Sequence, residues 1–416
     1  MLWERARKPL LLLINILAGD NISKVKTEGV TDMVQPFETV LPLGELSIIG
    51  MHGCEEITKK IDWYLKQWTC DKDANHTFIT DAICPRFGTG EGKGVILESV
   101  RGHDVFIICD AFNYGITFEM YGMKVPMSPD DHFADLKRII AATNGKARRI
   151  TVIMPMLYEG RQHKRKYRES LDCAIALQEL VGMGVDNIIT FDAHDPRIQN
   201  AIPLSGFESV PVAYQMLKRL TNSFPDIIFD KEHTMVISPD EGGMNRAIAF
   251  ASMIGLDLGM FYKRRDYSVV EQGRNPIVSH EFLGDNIEGK DVIVVEDIIA
   301  SGESALDIFY QLTEKKAKRI FMCCTFGLFC NGLDAFDKAY EQSAVTAVLT
   351  TNLVYRSPEL LKREWFKEVD MSKYISFIID TLHHDASMSD LLNPVDRIDK
   401  LLEKVRKSQI EEGLIK

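Results

Sequence analysis

Two stretches of this chain repeat each other, and that repeat limits the fold more than any other feature. Val100-Arg-Gly-His-Asp-Val-Phe-Ile-Ile-Cys-Asp110 parallels Ile287-Glu-Gly-Lys-Asp-Val-Ile-Val-Val-Glu-Asp297. Further along, Lys146-Ala-Arg-Arg-Ile150 and Lys316-Ala-Lys-Arg-Ile320 recur in the same order, each opening an apolar run. A unit this long is a duplicated domain and not a solenoid repeat. Short β-branched runs alternate with amphipathic stretches. Val105–Cys109, Ile150–Met154, Asn187–Phe191, Met235–Ile237, Leu258–Tyr262, Val292–Val295, Ile320–Thr325 and Val345–Leu349 read as strands. Asp131–Ala142, Ser170–Val181 and Ser304–Lys315 read as helices. The alternation predicts an α/β fold of mainly parallel sheets flanked by helices. With the duplication, it predicts an extension over residues 1–36, tandem domains over 37–212 and 213–392, and a helical tail over 393–416.

Composition excludes several classes. Of 416 residues, 45% are hydrophobic and 26% charged, which is ordinary for a globular protein. With 28 Gly and 15 Pro, collagen-like and low-complexity chains are excluded. The net charge of −11 argues against a nucleic-acid or anionic-membrane binder, while leaving room for a local phosphate pocket. The eight cysteines contain no Cys-x-x-Cys pair, so a structural zinc site is not expected. Several lie in apolar runs, which fits free thiols in a reducing, cytoplasmic setting. Arg5, Arg7 and Lys8 before Leu10–Ala18 look superficially like a signal peptide, but the run is short and weakened by Pro9 and Asn15. A loosely attached extension is expected there. No run reaches the roughly 20 apolar residues a membrane helix needs.

Many of these strands end in polar residues, including Asp110, Asp192, Ser238, Lys263 and Glu296. Ligands of open α/β sheets bind just beyond the carboxyl ends of the strands. Val294-Val-Glu-Asp-Ile-Ile-Ala-Ser-Gly-Glu-Ser304 ends a strand in two acids and opens a helix through a small-residue loop. Backbone N–H groups of such a loop can cradle a phosphate, with Ser301 and Ser304 as hydroxyl donors. Glu296 and Asp297 suit ribose hydroxyls or a magnesium-bound water. The same pattern also fits a plain helix capped by Ser301. In Phe191-Asp-Ala-His194, a spacing of two puts Asp192 and His194 on one face of a strand. Arg161-Gln-His-Lys-Arg-Lys-Tyr-Arg168 is the densest basic run; in isolation it reads as a solvated face or a nucleic-acid patch, and against a net charge of −11 a phosphate-binding loop is better supported. Gly88-Thr-Gly-Glu-Gly-Lys-Gly94 lacks the spacing of a P-loop. His383-His-Asp385 reads as a surface helix terminus.

The 294–304 segment resembles the phosphoribosyl-pyrophosphate loop of the type I phosphoribosyltransferase fold. Five further motifs narrow the resemblance to the ribose-phosphate pyrophosphokinases: Phe87-Gly-Thr-Gly-Glu91, Gly160-Arg-Gln-His163, Phe191 to Gln199, Ser238-Pro-Asp-Glu-Gly-Gly243 and Lys263-Arg-Arg265. The likeness spans roughly residues 45–392. It implies two tandem phosphoribosyltransferase-like domains and attack of the ribose 5-phosphate 1-hydroxyl on the β-phosphorus of ATP, with AMP leaving. It implies Mg2+, held by His194 and Asp240. Phe87, Glu91, Arg161, Gln162 and His163 fall on ATP-binding positions. Glu296, Asp297, Ser301, Gly302 and Ser304 fall on ribose 5-phosphate positions, and Lys263 and Arg265 on the catalytic loop. It further implies a homo-oligomer in which Phe87 and Glu91 reach a neighbour's adenine site.

Four positions depart from the family pattern: Thr89, His163, Ala300 and Glu303. Ala300 and Glu303 keep open a non-catalytic, regulatory relative. A phosphoribosyltransferase is a further alternative, although it would need only one such domain.

Overall fold

The computed structural model describes residues 42–69, 76–165, 167–265 and 277–415, excepting the side chains of residues 263–265 and 277–280. The expected 1–36 extension lies outside the described residues. The first half carries a parallel sheet of β1 (Leu46–Gly50), β2 (Asp104–Ile108), β3 (Arg149–Ile153), β4 (Asn187–Phe191) and β5 (Gly206–Val210), in that spatial order. Beyond β1, Phe78–Thr80 pairs with Ile48 on the opposite side from β2, through Ile48 N to Phe78 O at 2.7 Å and Thr80 N to Ile48 O at 2.9 Å. The chain therefore leaves β1 in both directions, the hallmark of a doubly wound sheet.

Helices α1 (Glu55–Trp68), α2 (Pro129–Ala142) and α3 (Asp172–Gly182) connect these strands. α2 starts where Ser128 and Asp131 cap each other reciprocally ahead of Pro129. Its Phe133, Leu136, Ile139 and Ile140 recur at helical spacing and pack on Val105, Ile107 and Val152. Burial of such side chains stabilises by about 1.5–3 kcal/mol each.

The second half begins with α4 (Ala213–Ser223), followed by a seven-stranded sheet of β6 (Thr234–Ser238), β7 (Asp257–Arg265), β8 (Ile277–Leu283), β9 (Asp291–Ile299), β10 (Arg319–Gly327), β11 (Ala347–Thr351) and β12 (Phe366–Val369). The spatial order is β8-β7-β6-β9-β10-β11-β12. All neighbours are parallel except β7 and β8. Chain order reverses between β6 and β9, so a crevice opens at their carboxyl ends. α5 (Met244–Ile254), α6 (Glu303–Glu314) and α7 (Asp334–Glu341) supply connections.

The sequence echo has a physical counterpart. Arg149 on β3 grips Asp104 on β2 with Nε and Nη2, at 2.9 and 2.7 Å. Arg319 on β10 grips Asp291 on β9 in the same way, at 2.8 and 2.6 Å. Each bidentate pair pins the register of two adjacent parallel strands at their amino ends.

Three expectations are corrected here. β9 does not stop at Glu296 and Asp297; it continues to Ile299, paired with Gly327. Lys263 to Arg265 belong to β7 and do not leave it, because the antiparallel partner β8 extends the strand. A third correction concerns His383. It ends α8 (Ser372–His383) but is buried, with Nδ1 3.0 Å from Asp104 Oδ2. α8 returns to the first half, where Phe377 stacks on Trp68 of α1 at 4.3 Å between centroids. The tail forms α9 (Val395–Glu411), anchored by Gln409 Nε2 donating to the carbonyls of Pro225 and Ile227.

Candidate active site

The carboxyl ends of β4, β6 and β9 meet where the two halves face each other. His194, just beyond β4, lies with Nδ1 2.6 Å from Asp297 Oδ2 on β9. Asp192 sits at φ +40, a left-handed conformation Asp tolerates better than most residues. That turn aims its carboxylate at the second half, where Arg246 Nε donates to both oxygens at 2.8 and 2.9 Å. Thr325 Oγ1 on β10 donates to Asp192 Oδ2 at 2.6 Å. Arg246 also faces Asp297 at 3.4 Å and Glu296 at 3.7 Å. One guanidinium therefore serves three carboxyl groups drawn from both halves.

The crowding sets the protonation states. Burial pushes the Glu296 carboxyl well above its usual range, and the adjacent Asp297 charge adds to the shift. Burial acts on Asp297 too, but the hydrogen bonds from His194 and Glu296 and the Arg246 charge outweigh it and hold Asp297 below the usual range. Glu296 therefore holds its proton more tightly than an ordinary carboxyl and Asp297 less tightly, which tends to set a donor beside an acceptor. That combination suits a vicinal diol.

Around this cluster lies an open cleft of roughly 760 Å3, lined by His163, His194, Ser209, Glu241, Gly242, Arg246 and Glu296 among others. A narrower pocket of about 160 Å3 continues past Asp192 and His194 to Glu159, Gly160 and Arg161. Gln162 ties the basic run down, with Nε2 donating to Ser170 O at 3.0 Å. His163 Nε2 lies 3.3 Å from Asp195 Oδ2, and its ring centroid is 5.4 Å from that of His194. Asp240 closes a tight turn after β6: its Oδ1 accepts from Gly243 N at 3.1 Å. It directly precedes the Glu241–Gly242 segment of the cleft wall.

The loop after β9 departs in detail from a Ser-capped helix. The residue before α6 is Gly302, at φ +90, and a Cβ there would lie 2.5 Å from the Phe336 ring. Only glycine fits both constraints. Ser301 Oγ accepts weakly from Glu303 N at 3.4 Å. Glu303 Oε1 accepts from Asn331 Nδ2 at 3.3 Å, a partner on the loop after β10. Ser304 is exposed in the first turn.

Phe87 and Glu91 are not among the residues lining this cleft. They share a tight turn bridged at Arg86 and Gly92, with Phe87 N donating to Glu91 O at 2.7 Å. Thr89 Oγ1 holds Glu91 Oε2 at 2.9 Å. The side chains of Lys263 and Arg265 lie outside the described residues. Arg246 was not singled out by sequence reasoning. A signal existed: it is a cation in the first turn of a helix, where the macrodipole disfavours positive charge.

Residues 46–184 match the family model of the N-terminal domain of ribose phosphate pyrophosphokinase, and residues 268–393 match that of the phosphoribosyl synthetase-associated domain. The chain is 27% identical over 327 residues to the ribose-phosphate pyrophosphokinase of Vibrio cholerae, covering 77% of this chain and 94% of that one. It is 28% identical over 353 residues to the Staphylococcus saprophyticus enzyme of the same name, covering 84% and 97%. Among solved structures, phosphoribosylpyrophosphate synthetase from Mycobacterium smegmatis superposes with a TM-score of 0.67 at 19% identity, covering 82% of this chain and 100% of that one. That likeness establishes a shared fold.

Proposed function

The chain belongs to the ribose-phosphate pyrophosphokinase family, and we propose that it transfers the diphosphoryl group of ATP to the 1-hydroxyl of ribose 5-phosphate, releasing AMP. The observation that carries this reading is the cross-half cluster, in which His194, on the cleft wall, meets buried Asp297 at 2.6 Å. A nucleotide-side group and a sugar-side group then converge on one reaction centre. The amides and hydroxyls of residues 300–304 would hold the 5-phosphate at the start of α6. The carboxyl groups of Asp297 and Glu296 would exchange hydrogen bonds with the ribose diol. Arg161, Gln162 and His163 would hold the nucleotide phosphates. Lys263 and Arg265 would neutralise charge on the transferring group, since phosphoryl transfer depends mainly on positioning and charge.

Magnesium arriving with ATP fits the donors present. Among the described residues, no cluster of three or more His, Cys, Asp and Glu side chains is arranged to hold a metal ion. Magnesium typically takes one or two protein groups plus substrate phosphates. Asp240 offers the hard oxygen it prefers, and His194 the ring nitrogen not engaged by Asp297. When bound, the ion would neutralise charge on the transferring phosphates.

The remaining features fit a homo-oligomer in which Phe87 and Glu91 complete a neighbour's adenine site, since neither lines the cleft of its own chain. The halves would divide near residue 212. The seven described cysteines are free, which suits a reducing cytoplasm. Among the described residues, no helix is long and apolar enough to cross a membrane.

A second reading, the non-catalytic relative, is favoured by Ala300 and by Glu303, whose carboxylate stands at the phosphate loop. Product analysis decides between them. Incubation with ATP, ribose 5-phosphate and Mg2+ is expected to yield AMP and 5-phosphoribosyl 1-pyrophosphate in equal amounts. No product at saturating substrate would favour the regulatory relative.

A further inference from the structure

Two hairpins of the first half stand tip against tip. One is the Arg86–Gly92 turn carrying Phe87 and Glu91. The other pairs Thr117–Met120 with Met123–Pro126 around the turn residues Tyr121 and Gly122. Tyr121 N donates to Gly88 O at 2.8 Å. The Arg86 guanidinium lies over the Phe118 ring at 5.0 Å. A Cβ on Gly90 would meet Met120 Sδ at 2.6 Å, so the two turns are in intimate contact. They form one unit, bound by backbone, cation–π and van der Waals contacts.

Two aromatic rings crown that unit and remain in solvent: Phe87 is 58% exposed and Tyr121 73%. An exposed tyrosine alone is unremarkable, but its backbone is not. Tyr121 is at φ +50 and Gly122 at φ +76. This is the two-residue hairpin turn in which both residues are left-handed, and Asn, Asp or Gly usually takes its first position. A bulky aromatic there is strained. Packing within the chain does not account for it, since most of the ring stays uncovered. Strained residues that present a side chain to solvent point to a ligand.

We propose that Tyr121 is a second aromatic contact for the purine base of a nucleotide held by another copy of this chain, presented beside Phe87 by the paired hairpins. The inference rests on the reading that Phe87 and Glu91 complete a neighbour's adenine site. Glu91, positioned by Thr89, addresses the ribose; Phe87 takes a face of the base; Tyr121 borders it. The contact is made by the ring and not by the hydroxyl, and it favours the larger surface of a purine over a pyrimidine.

The test uses the full chain and four proteins: wild type, Tyr121→Asn, Tyr121→Phe and Phe87→Ala. Calorimetric titration measures affinity for ATP and for inorganic tripolyphosphate, which has no base. Melting temperature and mass by light scattering are recorded alongside. Tyr121→Asn is expected to bind ATP about tenfold more weakly, the usual scale for losing one aromatic contact to a base. Tripolyphosphate affinity and mass should not change. Its melting temperature should hold or rise, because Asn tolerates the left-handed turn, and Tyr121→Phe should bind ATP as wild type does. If Tyr121→Asn binds ATP normally while Phe87→Ala does not, the proposal is overturned and the shared adenine site stands. If neither variant weakens ATP, the shared-site reading itself fails. Equal weakening of ATP and tripolyphosphate, or loss of assembly, would overturn the proposal in favour of a subunit contact.

Discussion

Arg246→Met removes the cation at the centre of the site without changing side-chain length much. Arg246 Nε donates to both oxygens of Asp192, and the guanidinium stands 3.4 Å from Asp297 Oδ2; the three side chains are 17%, 17% and 5% exposed. Breaking a buried charge pair by deleting one partner costs about 3–5 kcal/mol. The cleft admits some water to Arg246 and Asp192, so about 2–3 kcal/mol is the working figure. Unfolding entropy near 2.1 cal/mol/K per residue gives roughly 0.9 kcal/mol/K for this chain, so Tm should fall by about 3 °C at pH 7.5. The loss should depend on pH. Asp297 is held below its ordinary value of 3.8 in the folded state, so its stabilisation is present above that value and lost as pH falls through the folded one. Removing Arg246 weakens that depression. The gap between wild type and variant should therefore stay level from pH 8 to about 4 and narrow only below that, as Asp297 takes up its proton. Calorimetric scans in metal-free buffer from about pH 2.5 to 8 measure it, and Arg246→Lys should recover part of the loss by restoring charge without the guanidinium geometry. A variant melting with wild type at pH 7.5, or a gap that widens on acidification, would refute the charge-balance argument.

Glu296 has the opposite linkage. Its folded carboxyl is raised above the ordinary 4.5, so its contribution is present below that pH and lost as pH rises. Glu296→Gln should gain on wild type in Tm as pH climbs from 4.5 to 8; an advantage that shrinks over this range would contradict the assignment. Gly302→Ala should cost roughly 2–4 kcal/mol in urea unfolding and weaken ribose 5-phosphate binding. The new Cβ meets the buried Phe336 ring, which is backed by Trp365 at 5.5 Å between centroids, and φ is +90; unchanged stability would show that the loop can yield. Asp240→Ala should lower turnover at least about a hundredfold while leaving the melting temperature nearly unchanged, because the carboxylate supports a turn and not the core. Wild-type rates in that variant would remove Asp240 from the metal site.

Local periodicity carried much of the fold. The apolar runs at 105–109, 150–154 and 292–295 are strands because β-branched residues buried on both faces have few other stable arrangements. The sequence echo has its counterpart in Asp104–Arg149 and Asp291–Arg319: each pair holds two strands in register from matching positions. What stayed hidden depends on contacts between segments far apart in the chain. His383 looks like a polar helix end, and only the return of α8 to the first half turns it into a buried partner of Asp104. The spacing of Asp192 and His194 suggested one shared strand face, yet both lie beyond β4, and a φ of +40 sends Asp192 to Arg246 while His194 meets Asp297.

The same distinction explains the shape of the site. A parallel strand is extended through buried acids only if a counter-charge is close by, and none is available within β9 itself. β9 runs through Glu296 and Asp297 to Ile299 because Arg246 reaches in from α5, the helix that follows β6. β6 and β9 are neighbours at the point where strand order reverses, so α5 starts beside the carboxylates at the mouth of the crevice. A cation in the first turn of α5 opposes the helix dipole. Its compensation is the group of three carboxyls, two from the second half and one from the first. Arg246 therefore couples the halves: it stands on α5 of the second half and grips Asp192 of the first. A change that separates the halves would take Asp192 from Arg246 and His194 from Asp297, leaving Arg246 beside Asp297. Under the proposed function, substrate held in this cleft would act on a cluster already balanced between the two halves, at their junction and not within either sheet.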